Sequence, residues 1–281
     1  MNPSSRARFL ALARLDLAEV RRSRWLIFCV VLYALLAGLF VLVGLRESRV
    51  LGFTGTGRVL LSLSHTLVLL LPLLALTAIG QVVNRARDDG TCELLFSHPF
   101  SRREYFLAVT MVRFGVLLVP LVVLMVLVAL LGRLLLASPV PWEFLGRSLL
   151  VCGALLWAFT GLGVAVSVEV RHPARAVMVL LALWVLGVAL LDFGLIGLML
   201  RWRLHARTVF ALAALNPVEA SRLALLVSAE PSLTVLGPVG FYLANRLGAG
   251  WVEFAGVAWP AIVGTLAWGF ARRRFSHGDL V

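Results

Sequence analysis

Six stretches of this chain carry almost no charge, and each is about as long as a bilayer is thick. They lie at about 25–45, 59–83, 106–131, 148–168, 176–200 and 251–271. A helix needs roughly 20 consecutive apolar residues to cross the hydrocarbon core. The composition agrees: 61% of the residues are hydrophobic and 14% charged, where soluble domains run near half and a quarter. The expected fold is an all-α polytopic membrane protein with six transmembrane helices, residues 25–281 forming the membrane domain and residues 1–24 a separate interfacial helix.

Arginine sets the expected orientation. Net charge is +12, and every basic residue is Arg, because the chain contains no Lys. With both termini in the cytosol, the inner segments hold fifteen Arg and the outer segments ten, half of those in the long 201–250 segment. The bias favours a multi-pass protein of a bacterial or archaeal cytoplasmic membrane with both ends inside. In so apolar a chain the basic balance points to anionic lipid rather than to nucleic acid.

The missing Lys excludes whole classes of activity. A P-loop needs a Lys for the β/γ-phosphates, a protein kinase its strand Lys, and Schiff-base catalysis a Lys amine. The chain is therefore not expected to be an enzyme, and any ATP energy it uses is released on another polypeptide. Cys29, Cys92 and Cys152 show no CxxC spacing, and Cys29 and Cys152 read as small apolar residues. The five His are scattered, with no i,i+4 pair, and the five Met are isolated, so no metal-ligand set is visible. No secretory signal is evident either, since the first 24 residues are polar and Arg-rich and the following apolar run is long for a signal core.

Residues 4–24 have the pattern of a helix lying on the headgroups. Phe9, Leu10, Ala13, Leu17 and Val20 are placed to share one face, with Arg14 and Arg21 opposite. Between the fifth and sixth runs, residues 201–250 are apolar but interrupted by Asn216-Pro217, Glu219, Arg222 and Gly237-Pro238. A central charge facing lipid is costly, so this segment is expected to form external re-entrant helices covered by protein. GFTGTGR (52–58) reads as an external flexible turn or a contact for an outside partner.

The polar island at 84–105, NRARDDGTCELLFSHPFSRREY, separates the second and third runs. Gly90 is suited to end one helix and Thr91 to cap the next. Glu93 suits a first turn, and Leu94, Leu95 and Phe96 make an apolar patch closed by Pro99. Ser101 and Glu104 have capping-box spacing for the helix that enters the third run. The expectation is a capped elbow.

These residues carry a family resemblance. DDGTCELLFSHPFSRREYFLA resembles the loop after the second helix of ABC-2 type transporter permeases, which reads acidic–Arg–Gly–Thr, Glu–Leu–Leu and Pro–x–Ser–Arg. ARLDLAEVRRSRW (13–25) resembles the amphipathic helix that opens that family's fold, with Asp16 at the usual acidic position. Two departures are Ala86, where the family often has Glu, and Ala108-Val109, where it often has Gly-Lys. GFTGTGR, LDFGLIGLML (191–200), LNPVEASRL (215–223) and LGPVGFYL (236–243) narrow the resemblance to members serving copper-site maturation of nitrous oxide reductase. The resemblance implies a permease subunit whose elbow is a cytoplasmic coupling helix for a separate ABC ATPase. It also implies a second copy of the chain and a periplasmic partner protein. ATP and Mg would be bound by the ATPase, and this chain would carry no cofactor. The contacts it implies are Asp88, Asp89, Glu93, Leu94, Leu95, Phe96, His98, Pro99, Arg102 and Arg103. EVRHPAR (169–175) reads either as a minor second contact or as a hairpin turn. Alternatives are an exporter of a drug, lipid or glycan, and a secondary transporter or scaffold without an ATPase.

Ionisable residues inside the apolar runs are functional candidates. His65 and Asp192 fall toward the outer third and could line an outer vestibule. Glu253 lies at the outer end of the last run. Arg113 has the reach to snorkel to the inner surface.

Overall fold

The computed structural model describes residues 3–44, 55–97, 100–190, 215–229 and 248–277, and every regular element among them is helical. In chain order these are α1 (Pro3–Arg22), α2 (Arg24–Gly44), α3 (Gly55–Ile79), α4 (Val82–Asp88) and α5 (Thr91–Phe96). Then follow α6 (Arg102–Leu136), α7 (Trp142–Glu169), α8 (Pro173–Trp184), α9 (Pro217–Ala229) and α10 (Ala249–His277). A π-helical segment, Val185–Leu190, continues α8.

Five helical stretches among the described residues are long and apolar enough to cross a membrane: Arg24–Val43, Thr56–Asp88, Arg102–Leu136, Trp142–Glu169 and Ala249–His277. The sixth expected span, 176–200, is described only to residue 190, as the shorter apolar helix α8 and its π segment. Asp192 and residues 201–214 and 230–247 lie outside the described residues. Within 201–250, α9 has 13 residues, too few to span, and packs on α10, α7 and α3.

The core forms where apolar side chains escape both water and lipid. Leu60, Leu63, Leu67, Leu71 and Ile79 of α3 are fully buried against α6 and α7. By contrast, α2 exposes Ile27, Phe28, Leu35, Leu39 and Leu42 along its length, as a lipid-facing helix does. Small residues let backbones touch. A Cβ on Gly161 of α7 would lie 2.2 Å from the carbonyl oxygen of Gly264 on α10, so only glycine fits this crossing. Beside it Trp157 Nε1 donates to Thr265 Oγ1 at 3.1 Å. Cys29 and Cys152 are free and buried, as small apolar residues are.

Near one end of the bundle α3 breaks. Gly80 makes room for Leu180 of α8, whose Cδ1 would lie 2.1 Å from an added Cβ. The chain restarts as α4, and a buried N–H of its first turn, which has no partner within the helix, finds one on another helix. Ser167 Oγ on α7 accepts from the Val83 N–H at 3.0 Å and donates to Asn84 Oδ1 at 3.3 Å.

Two expectations about local structure change. GFTGTGR is not wholly a turn. From Gly55 onward it is the first turn of α3, with Thr56 and Arg58 buried. The Thr56 N–H donates to Ser138 Oγ at 2.8 Å and Arg58 Nη2 donates to the Val43 carbonyl at 2.9 Å. In α1 the buried stripe is Leu12, Asp16 and Val20, while Leu10 and Leu17 are exposed. A four-residue spacing drifts only slightly around a helix, so these three positions form one seam against α6.

Candidate functional site

The polar island folds as a compact elbow. Asp89 N–H bonds to Arg85 O and Gly90 N–H to Arg87 O, closing α4. Gly90 sits at φ 67°, the left-handed region that glycine adopts at no steric cost. Thr91 is the first residue of α5 rather than its cap. Gly90 holds the cap position, no side chain caps the helix, and Glu93 lies in its first turn. The opening of α6 follows its sequence spacing. Ser101 Oγ accepts the Glu104 N–H at 3.1 Å, and Glu104 Oε2 accepts the Ser101 N–H at 3.1 Å.

This geometry aims a distinctive surface away from the bundle. Asp88, Asp89, Glu93, Leu94, Arg102 and Arg103 are exposed, and Leu94 is 71% accessible. Leu95 turns the other way and packs on the core. Phe96 ends α5, and its side chain, like His98 and Pro99, lies outside the described residues. The elbow therefore offers an exposed apolar side chain, Leu94, together with exposed acidic and guanidinium groups. Ala86 is buried beneath it.

The elbow is braced from two sides by contacts that sequence reading missed. Arg8 of α1 bonds Glu104 Oε1 at 3.1 Å, so one carboxylate serves both the cap and the brace. Farther along, Arg113 reaches from α6 to α1. It grips Asp16, with Nη2 at 2.9 Å from Oδ1 and Nε at 3.2 Å from both carboxylate oxygens, and it reaches Glu19 at 3.3 Å. The two pairs advance in the same direction on both helices, so α1 runs along α6. Burial pushes the Asp16 carboxyl above its ordinary value, while Arg113 pulls it back down. On the second side Phe275 of α10 stacks on Phe106 at 5.5 Å and Tyr105 at 6.1 Å, at the foot of α6. A sequence signal existed for the first brace: one acid inside the apolar seam of α1, and one base inside the third apolar run.

The second candidate region stays incomplete. His65 is half-buried on α3, and Arg222 of α9 lies near enough for their charges to interact. Arg222 also pairs with Glu219 at 2.6 Å. Asp192, the other residue of the expected vestibule, lies outside the described residues. Glu253 pairs with Arg147 at 3.3 Å. Among the described residues no three His, Cys, Asp or Glu gather as a metal site.

Comparison with known proteins decides the family. Residues 10–268 match the family model described as ABC-2 family transporter protein. The chain belongs to the ABC-2 transporter family. Two relatives are each named as a probable ABC transporter permease protein, NosY. The one from Stutzerimonas stutzeri is 28% identical over 272 residues, covering 94% of this chain and 98% of the relative. The one from Pseudomonas aeruginosa is 28% identical over 283 residues, covering 94% and 97%. An ABC-2 permease is a multi-pass membrane subunit of a transporter rather than a catalytic subunit, and the family implies an ATPase partner. In this ABC-2 chain the elbow is an outward-facing feature that lies between two membrane-length helical stretches, Thr56–Asp88 and Arg102–Leu136.

Proposed function

We propose that this chain is the membrane subunit of an ATP-driven transporter whose elbow docks in a groove of a separate ABC ATPase on the cytoplasmic side. The single observation that carries the reading is the exposed Leu94 side chain, accompanied by exposed charges of both signs and seated on braced helices. An exposed leucine among charged groups suits a protein partner better than water or lipid headgroups. The partner ATPase holds ATP and Mg, and this chain's part is mechanical. Pressure on α5 passes through Leu95 into the core and through the capped foot of α6 into a membrane helix. Two copies with two ATPases make the unit, in the cytoplasmic membrane with both termini inside.

The likeness to NosY over nearly the whole chain supports a narrower reading, that the transporter serves copper-site maturation of nitrous oxide reductase through a periplasmic partner. Copper itself is a poor direct cargo for this chain, since its soft and imidazole ligands do not gather in sequence. Two experiments test these readings. An ATPase should co-purify with the chain, and reversing Asp88 and Glu93, both exposed on the elbow and outside the cavity behind it, to Arg should release it. Retained binding would refute the elbow as the docking site. Deleting the gene should leave nitrous oxide reductase without its copper, and a fully metallated enzyme would remove the narrower assignment.

A further inference from the structure

Behind the elbow lies a cavity of about 320 Å³, bounded by α1, the end of α3, α4, α5 and the foot of α6. Its size is at the lower end of ordinary small-ligand pockets. Its wall mixes leucine and alanine with charges of both signs. Asp16 is committed to Arg113 by three hydrogen bonds. Glu19 gives Arg113 one oxygen and keeps the other. Arg85 Nη2 donates to the side-chain amide oxygen Oε1 of Gln81, leaving further guanidinium donors. The Asp89 carboxylate has no side-chain partner among the described residues. Arg85 and Asp89 line the same cavity, yet no ion pair joins them. Leu15, more than half exposed, carries the apolar wall of the cavity out to the surface of α1.

From this arrangement we infer that the cavity holds the headgroup of a phosphatidylethanolamine molecule from the adjoining leaflet. The phosphate meets Arg85, and the ammonium meets Asp89 and the spare oxygen of Glu19. Three features select this lipid. A cation and an anion on one wall, unpaired with each other, match a zwitterion. The acidic surplus at the cavity disfavours a purely anionic headgroup such as phosphatidylglycerol. Carboxylates bond an ammonium through its N–H donors, and a choline headgroup offers none. The apolar path along Leu15 suits the glycerol and the start of an acyl chain. The inference depends on the chain being embedded in a membrane and not on where the ATPase docks.

The test uses the full-length chain purified without an ATPase, equilibrated with equal amounts of phosphatidylethanolamine, phosphatidylcholine and phosphatidylglycerol, and analysed by native mass spectrometry. One phosphatidylethanolamine per chain should survive activation that strips the other two. Arg85→Gln with Asp89→Asn should lower that retention about tenfold or more, as loss of two charge-assisted bonds requires. Both side chains are exposed, so the fold does not rest on them, and gel filtration checks it. Arg102→Gln with Arg103→Gln, on the outer side of the elbow, should leave retention intact. Equal retention of all three lipids, or unchanged retention in the Arg85/Asp89 variant, would overturn the inference. So would displacement of the lipid by soluble glycerophosphoethanolamine, which would assign the cavity to a free zwitterion. Failure of ATPase binding would leave these readings untouched, so the two hypotheses fail separately.

Discussion

Removing Arg113 tests most directly how α1 is held. The Asp16 side chain is 6% exposed and that of Arg113 13%. At 2.9 Å and an effective dielectric near 20, their attraction is about 6 kcal/mol. Withdrawing both charges from water costs several kcal/mol for each ion, so the intact pair contributes little net stability. Breaking it is different. Arg113→Met leaves the Asp16 carboxylate buried opposite a thioether, and such losses cost about 3–5 kcal/mol. Because α1 is joined to the bundle mainly through this face, the cost appears as undocking. A loss of about 3 kcal/mol raises the open population roughly a hundredfold. Hydrogen exchange of the amides from Leu12 to Val20, measured in lipid nanodiscs, should accelerate by that factor, since an undocked helix of this length is marginal. Adding Asp16→Leu should restore protection to within about 1 kcal/mol of the native value, because two apolar groups replace the pair. The defect should also depend on pH. Burial already raises the Asp16 carboxyl, and without Arg113 nothing nearby offsets it. Docking in the single variant is then least impaired below the ordinary carboxylate value, where Asp16 is neutral whether docked or not. It worsens as pH rises toward the elevated value. Native exchange in Arg113→Met, or a double variant no better than the single, would refute the reasoning.

Other consequences follow from the same structure. Leu94→Ser should weaken ATPase association about tenfold, the worth of one well-buried apolar anchor, without altering the thermal stability of the isolated chain. Gly161→Leu should force α7 and α10 apart at a cost of about 1–3 kcal/mol or more, seen as a lower melting temperature in detergent, whereas Gly146→Ala, with open space around it, should be tolerated. Ser167→Ala removes the acceptor for the buried Val83 N–H and should cost about 1–3 kcal/mol. Ser167→Thr, which keeps the hydroxyl, should recover most of that loss.

The apolar runs were legible because lipid imposes a one-dimensional rule: enough consecutive apolar residues at 1.5 Å each. The foot of α6 was legible for a similar reason. Ser101 and Glu104 satisfy each other within a single turn, so their spacing carries the geometry. Gly90 could be read in the same way, since its positive φ is a property of one residue. Thr91 shows the limit of local reading. It has the chemistry of a cap, but the left-handed turn at Gly90 places it inside the helix.

What sequence alone determined about this protein is its solvent, its helical class, its inability to cradle ATP phosphates in a Lys-bearing loop, and the position of its elbow. The tertiary structure decided which charges meet. Asp16 and Arg113 are 97 residues apart, as remote as Arg8 from Glu104, and no periodicity links them. Their pairing exists because α1 runs along α6 in one particular register. That register is set by packing of Leu12, Val20 and their neighbours, a three-dimensional fit that local sequence does not encode. The cavity behind the elbow has the same origin. It is space left over when five helices meet, and its charged wall is assembled from residues that only the fold makes neighbours.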